Sequence, residues 1–155
     1  MLILSLIKLN VKPLMKWGLL LSIFYIQVLG GVENALPYPY SKITILPFDS
    51  TSHFGPRQAA GLSFVINKYN VKTVVEVGSF LGSSTRYIAK LLPETGKVYA
   101  VDHWLGNLEW KNQPNFQNLQ DTYFQKFLSN TIHEGLCQKI VPLRMTSTAA
   151  ASYVT

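Results

Sequence analysis

The sequence predicts an α/β domain: a parallel sheet of three strands with helices packed on its faces. Three observations predict it. The runs Thr73–Val77, Lys97–Val101 and Lys139–Leu143 are short, rich in β-branched residues and mostly apolar, as buried strands are. Segments with apolar residues at helical spacing separate them. A glycine-bounded turn, Gly78–Gly82, leads straight from the first strand into a helix. Strand and helix alternating at this spacing is the pattern of βαβ units, whose crossovers leave neighbouring strands parallel.

The length of 155 residues suits one domain, and 48% hydrophobic residues against 14% charged can fill a core. Disorder is thereby excluded as the general state. Residues 1–31 form a distinct segment. Lys8, Lys12 and Lys16 precede the greasy run Trp17–Gly30, with Val28 and Gly30 as small residues before a cut, which is the pattern of a secretory signal peptide. The run is short for a membrane span of roughly 20 residues. Met15 as the true start would give a compact signal beginning Met15-Lys16-Trp17; an uncleaved anchor and a misassigned start that adds non-native residues are the alternatives. The positive-inside rule would keep the lysines in the cytoplasm and send the domain across the membrane.

The formal net charge is +6, and without those three lysines it falls to that of an ordinary surface. The other basic residues are scattered, which speaks against nucleic acid as a partner. Cys137 is the single cysteine, so neither an intrachain disulfide nor a Cys-rich zinc site is available. His53, His103 and His133 lie far apart and lack metal-ligand spacing, so no metal site is expected.

Residues 32–55 read as a loop carrying Pro37, Pro39 and Pro47 with Tyr38, Tyr40 and Phe48 among them; Ile43–Ile45 suits a short extended piece. The domain proper, residues 56–155, opens with Pro56 at a helix start. Ala59, Leu62, Val65, Ile66 and Tyr69 make one apolar face, and Asn70 supplies a left-handed stop. The strand Thr73–Val77 reads as buried. Ser83 and Ser84 are candidate caps for the next helix, whose face holds Tyr87, Ile88, Leu91 and Leu92 and which ends at Pro93 and Gly96. After the strand closing at Asp102 comes a polar loop, then a helix with Leu119, Tyr123, Phe124, Phe127, Leu128 and Ile132, broken by Gly135. Pro142 assigns the third strand to a sheet edge. Ser147 is the expected cap of a last helix. Trp104 and Trp110 suit loop packing, and Cys137 a small core position.

Chemistry concentrates in Glu76-Val-Gly78-Ser79-Phe80-Leu-Gly82. In an open α/β sheet ligands bind beyond the carboxyl ends of the strands. Gly78 permits a sharp turn and Gly82 brings the helix close to the strand. Glu76 makes the loop poor for a pyrophosphate and suits a ligand with positive charge. Phe80 stands where a dinucleotide fingerprint has its middle glycine. Asp102 ends the next strand roughly 20 residues past the glycines, where an acid holds a ribose hydroxyl pair.

Together Glu76–Gly82 and Val98-Tyr-Ala-Val-Asp102-His103-Trp104 resemble the class I S-adenosylmethionine (SAM)-dependent methyltransferases, nearest to the E-x-G-x-x-x-G branch of small O-methyltransferases and cephalosporin-hydroxylase-like proteins. The resemblance implies a Rossmann-like fold, truncated to its first three strands and the cofactor-binding half. It implies S-adenosyl-L-methionine as cofactor and a small-molecule methyl acceptor. By the same resemblance Glu76 orients the methionine part, Gly78, Ser79, Phe80 and Gly82 shape the loop, Asp102 holds the ribose, and His103 or Trp104, with the helix start near Thr146 and Ser147, borders the adenine. Catalytic residues are not assigned, because the family supplies them from a fourth strand. That strand would also flank Thr73–Val77, which stands without its inner neighbour. SAM is made in the cytosol, so this reading places the domain in the cytoplasm where the leader reading places it outside or on a membrane. The alternatives are a truncated or degenerate binding module without catalysis, secreted or membrane-tethered, and a nicotinamide-dependent oxidoreductase, which the loop disfavours.

Overall fold

The computed structural model describes residues 35–106 and 116–153. The leader-like segment 1–31 and Trp110 lie outside the described residues. Among the described residues no helix is long and apolar enough to cross a membrane.

The chain forms helix α1 (Pro56–Lys68), strand β1 (Thr73–Val77), helix α2 (Ser83–Leu91), strand β2 (Lys97–Asp102), helix α3 (Phe116–His133), strand β3 (Ile140–Arg144) and helix α4 (Ser147–Ala151). The three strands make a parallel sheet in the order β1-β2-β3. Fold class, strand direction and the edge position of the Pro142 strand agree with the sequence reading. Val77 pairs with Val101, which pairs with Leu143, so all three carboxyl ends share one end of the sheet. Helix stops follow the predicted chemistry. Asn70 and Gly135 both take left-handed conformations, and Val71 and Leu136 bond back to the carbonyls of Ile66 and Thr131.

One sheet face carries the main core. Val98, Ala100 and Ile140 meet Ile66 of α1, Ile88 and Ala89 of α2, and Phe127 and Leu128 of α3. Cys137 joins this cluster, as expected, and burial pushes its thiol up to about 11. The opposite face holds Val101 and Leu143 under Ala150 of α4. Val75 and Val77 pair in register with Tyr99 and Val101 and share that second face. They are 47% and 64% exposed, so β1 is not the buried strand its composition suggests. Among the described residues it has a pairing neighbour only in β2, and α4 lies against β2 rather than β1.

The segment before α1 is not a free loop. Tyr40 begins a single 3-10 turn and is 1% exposed; its hydroxyl donates to the Ile140 carbonyl at 3.0 Å, at the amino end of β3. Burial drives this phenol's pKa far upward, fixing it as a neutral donor. Residues 43–50 then run without strand pairing and are caught by α3. Gln125 donates to the Thr44 carbonyl at 2.7 Å, the Leu46 N–H donates to Ser129 Oγ at 2.9 Å, and the His133 ring meets the Leu46 carbonyl at 2.8 Å. The short extended piece expected at Ile43–Ile45 thus pairs with a helix surface and not with the sheet.

Tyr40→Phe should keep the packing and lose one buried bond, lowering unfolding free energy by about 1 kcal/mol. Urea denaturation of the full chain checks this, with a lower midpoint and an unchanged slope.

Candidate functional site

The turn after β1 holds three left-handed residues in five positions: Gly78 (φ 85°), Phe80 (φ 47°) and Gly82 (φ 79°). The glycines adopt this freely, whereas Phe80 does so against its Cβ. What holds Phe80 comes from the neighbouring strand tip. Its N–H donates to Asp102 Oδ2 at 2.9 Å, and its carbonyl accepts from Trp104 Nε1 at 2.6 Å. Trp104 is itself left-handed (φ 52°), and its N–H donates to Asp102 Oδ1 at 2.8 Å. One carboxylate therefore fastens both unusual residues. Trp104 is 2% exposed, with its ring between Phe124 (4.7 Å) and Phe127 (4.9 Å), which is the loop-packing role, one of the two open to it from the sequence.

Glu76 lies under the first turn of α2. Its Oε1 accepts from Ser84 Oγ at 2.5 Å and its Oε2 from Thr85 Oγ1. This corrects the expectation that Ser83 or Ser84 caps the helix. The cap is Gly82, which makes no side-chain bond, because the left-handed turn closes the loop there and the half-buried acid draws the first-turn hydroxyls inward. Arg86 is turned away from Glu76. Its Nε stands 3.3 Å from Glu134 Oε1, and Lys90 lies 2.7 Å from the other oxygen. Burial works against the charge on Glu134, but Lys90 and Arg86 outweigh it and hold its pKa below the usual value.

The expected site residues gather at one end of the sheet. Glu76 and Asp102 sit at the carboxyl ends of adjacent strands, joined through the Gly78–Gly82 turn. His103 follows on the surface, with Nδ1 accepting from the Leu105 N–H at 2.9 Å. The β3–α4 loop comes alongside, since the Met145 N–H donates to the Asp102 carbonyl at 3.0 Å. Ser147 is the first residue of α4 and not its cap. Thr146 caps instead, its hydroxyl accepting from the Ala149 N–H at 3.3 Å.

Beside the turn lies a cavity of about 580 Å³, lined among others by Ser52, His53, Gln58, Gly78, Ser79 and Ser83. Ser79 is 3% exposed, and its hydroxyl has no hydrogen-bond partner among the described residues. A buried hydroxyl without a partner is costly unless a ligand or water completes it. The wall formed by residues 51–54 was missed in the sequence. Ser52 Oγ donates to Ser83 Oγ at 2.8 Å, and the His53 ring lies 6.0 Å from that of Phe80. A signal existed: α1 precedes β1 and packs against the sheet, so the short polar run before Pro56 falls at the carboxyl end. Tyr40, earlier in the same segment, anchors the far end of the sheet.

This wall is latched at Asp49. Its Oδ2 accepts from Lys126 Nζ at 2.9 Å, and Asn130 grips its backbone on both sides. The Lys126 bond first, then the bonds from Thr51, lower the Asp49 carboxyl to about 2.

An O-methyltransferase family model matches residues 41–115, the stretch holding the loop and Asp102. It bears out the resemblance to class I SAM-dependent methyltransferases read from those residues. No curated protein matches the chain significantly. Similar solved structures include the O-methyltransferase TomG of Streptomyces achromogenes, involved in tomaymycin synthesis and in complex with SAM. It is 16% identical over 57% of this chain and 33% of its own, with a TM-score of 0.43. An O-methyltransferase of Bacillus cereus in complex with SAH is also 16% identical, over 90% of this chain and 48% of its own, with a TM-score of 0.40. The chain spans between a third and a half of the length of these two structures.

Two outcomes follow from the site's construction. Gly82→Ala forces a left-handed alanine whose Cβ would meet the Phe127 ring at 2.9 Å. The conformation alone costs about 1–2 kcal/mol, and a lowered thermal midpoint by calorimetry checks it. For Asp49 the folded pKa is depressed, so its stabilising share is complete above the unfolded carboxylate value and is lost as pH falls through about 2. Asp49→Asn should therefore lower the thermal midpoint near neutrality and flatten its fall between about pH 4 and pH 2.

Proposed function

We propose that this chain binds S-adenosylmethionine at the carboxyl end of its sheet and is the cofactor-binding half of an O-methyltransferase acting on a small molecule. One observation carries the reading. A glycine turn and the acid of the next strand tip are locked together beside a cavity that holds a buried, unpartnered hydroxyl. Asp102 still has acceptor capacity on both oxygens after bonding Phe80 and Trp104, enough for a ribose hydroxyl pair. Glu76 supplies negative charge toward the cationic methionine end. Gly78, Ser79, Phe80 and Gly82 shape the loop, and Ser79 Oγ is free to bond a ligand. His103 and Ser147 flank the adenine side. The matched O-methyltransferase family and the SAM or SAH held by the similar structures support the same ligand.

The cofactor supplies the electrophilic methyl group of its sulfonium. What these residues contribute is orientation of that methyl toward a nucleophile and exclusion of water, the positional part of catalysis. A second reading, a binding module without turnover, draws on Val75 and Val77, whose exposed apolar surface leaves the sheet's second face partly uncovered.

Isothermal titration of the full chain with S-adenosylhomocysteine should give saturable one-site heat, and Asp102→Ala should weaken binding by at least about tenfold. No heat from a sample folded by circular dichroism would overturn the reading. Binding without transfer of labelled methyl to any catechol, phenol or hydroxy-acid acceptor would favour the second one.

A further inference from the structure

Three consecutive polar residues, Ser129, Asn130 and Thr131, are fully buried near the carboxyl end of α3. Ser129 and Thr131 return bonds to their own helix, at the carbonyls of Gln125 and Phe127. Asn130 does not. Its Oδ1 accepts from the Asp49 N–H at 2.9 Å, and its Nδ2 donates to the Asp49 carbonyl at 3.0 Å and to the Leu81 carbonyl at 3.1 Å. A buried amide is costly unless its bonds are made, and here they are made to two different loops.

Those loops are the two walls of the cavity. Asp49 stands just before the wall residues Thr51 to Phe54, and Leu81 belongs to the glycine turn opposite. The Leu81 carbonyl has a second buried donor, Arg86 Nη1 at 2.7 Å; Arg86 is 6% exposed, with Phe48 against its guanidinium at 5.2 Å. Neither Asn130 nor Arg86 lines the cavity.

We infer that Asn130 is a positioning residue that braces both cavity walls against α3, with Arg86 securing the Leu81 carbonyl from α2. The role in ligand binding rests on the cofactor reading above; the brace itself does not. Fixing this carbonyl fixes the peptide that enters Gly82, and with it the direction in which the Phe80 N–H meets Asp102. Loss of the brace therefore loosens walls that Asn130 never shares with the ligand.

The test compares three variants of the full chain. Asn130→Asp keeps size and the acceptor for the Asp49 N–H but removes both donated bonds. Arg86→Lys removes the second donor fork independently. Tyr40→Phe is the control, weakening the fold at the far end of the sheet. Hydrogen exchange should speed up about tenfold at residues 49–54 and 78–82 in Asn130→Asp, and at 78–82 in Arg86→Lys, beyond any change in the control. Affinity for S-adenosylhomocysteine should fall about tenfold in Asn130→Asp and less than about twofold in Tyr40→Phe. If Asn130→Asp does not fold, faster exchange at 78–82 in Arg86→Lys still supports the brace, and unchanged exchange there overturns it. Exchange that merely follows global stability in all three variants overturns the inference, as does unchanged affinity in a loosened Asn130→Asp. If the unmodified chain binds no S-adenosylhomocysteine, the cofactor reading fails and the exchange results alone decide the brace.

Discussion

The carboxylate of Asp102 is the constraint on which the rest of this end of the molecule depends. Two residues with side chains, Phe80 and Trp104, stand in the left-handed region, at a cost of about 1–2 kcal/mol each. Asp102 accepts the backbone N–H of both, and bonds to a charged acceptor contribute about 1.5–3 kcal/mol. The strain is thus offset locally, and the β1–α2 turn is held to the tip of β2 before any ligand arrives. Trp104 completes the closure by bonding the Phe80 carbonyl from the core side. Asp102 is therefore a structural clasp: it does not line the cavity, but it fixes the turn that does.

The clasp explains why the fold and the central motif were legible in the sequence. Periodicity gave the strands and helices, because each element buries one face in a shared core and its apolar spacing records that. Gly78, Gly82, Asn70 and Gly135 marked the turns because left-handed backbone restricts residue choice. What periodicity cannot record is how much of a strand its neighbours cover. Thr73–Val77 has the composition of a buried strand, and its Val75 and Val77 are nonetheless exposed. Capping was misread at Ser84, whose hydroxyl goes to Glu76, and at Ser147, where Thr146 one position earlier takes the cap. A short hydroxyl residue near a helix start can serve the backbone or a neighbouring acid, and the sequence does not say which is nearer.

The site divides in the same way. Glu76, the glycines and Asp102 belong to local motifs, so spacing alone brought them together. The wall at residues 49–54 and its brace at Asn130 join segments 81 residues apart, and no local pattern encodes that pairing. The trace left in the sequence is slight: Asn130 is a polar residue with no sign in the local spacing that it is buried. A buried amide marks bonds made outside the helix, although it does not name their partners.

Charge narrows what the cavity can take. None of the residues lining it is lysine or arginine. Arg86, the basic residue nearest the turn in sequence, is directed to the Leu81 carbonyl and to Glu134. At the adjoining strand ends stand two carboxylates, and the hydroxyl bonds to Glu76 spread its charge without removing it. A pyrophosphate would enter such a site against two acids and, among the described residues, with no lysine or arginine in the cavity wall to meet it, leaving the N-terminus of α2 in its favour. Ammonium and sulfonium charge would meet the two acids with the opposite sign. These charges thus disfavour a pyrophosphate at this glycine turn, and they do so through side chains that the fold has already committed elsewhere.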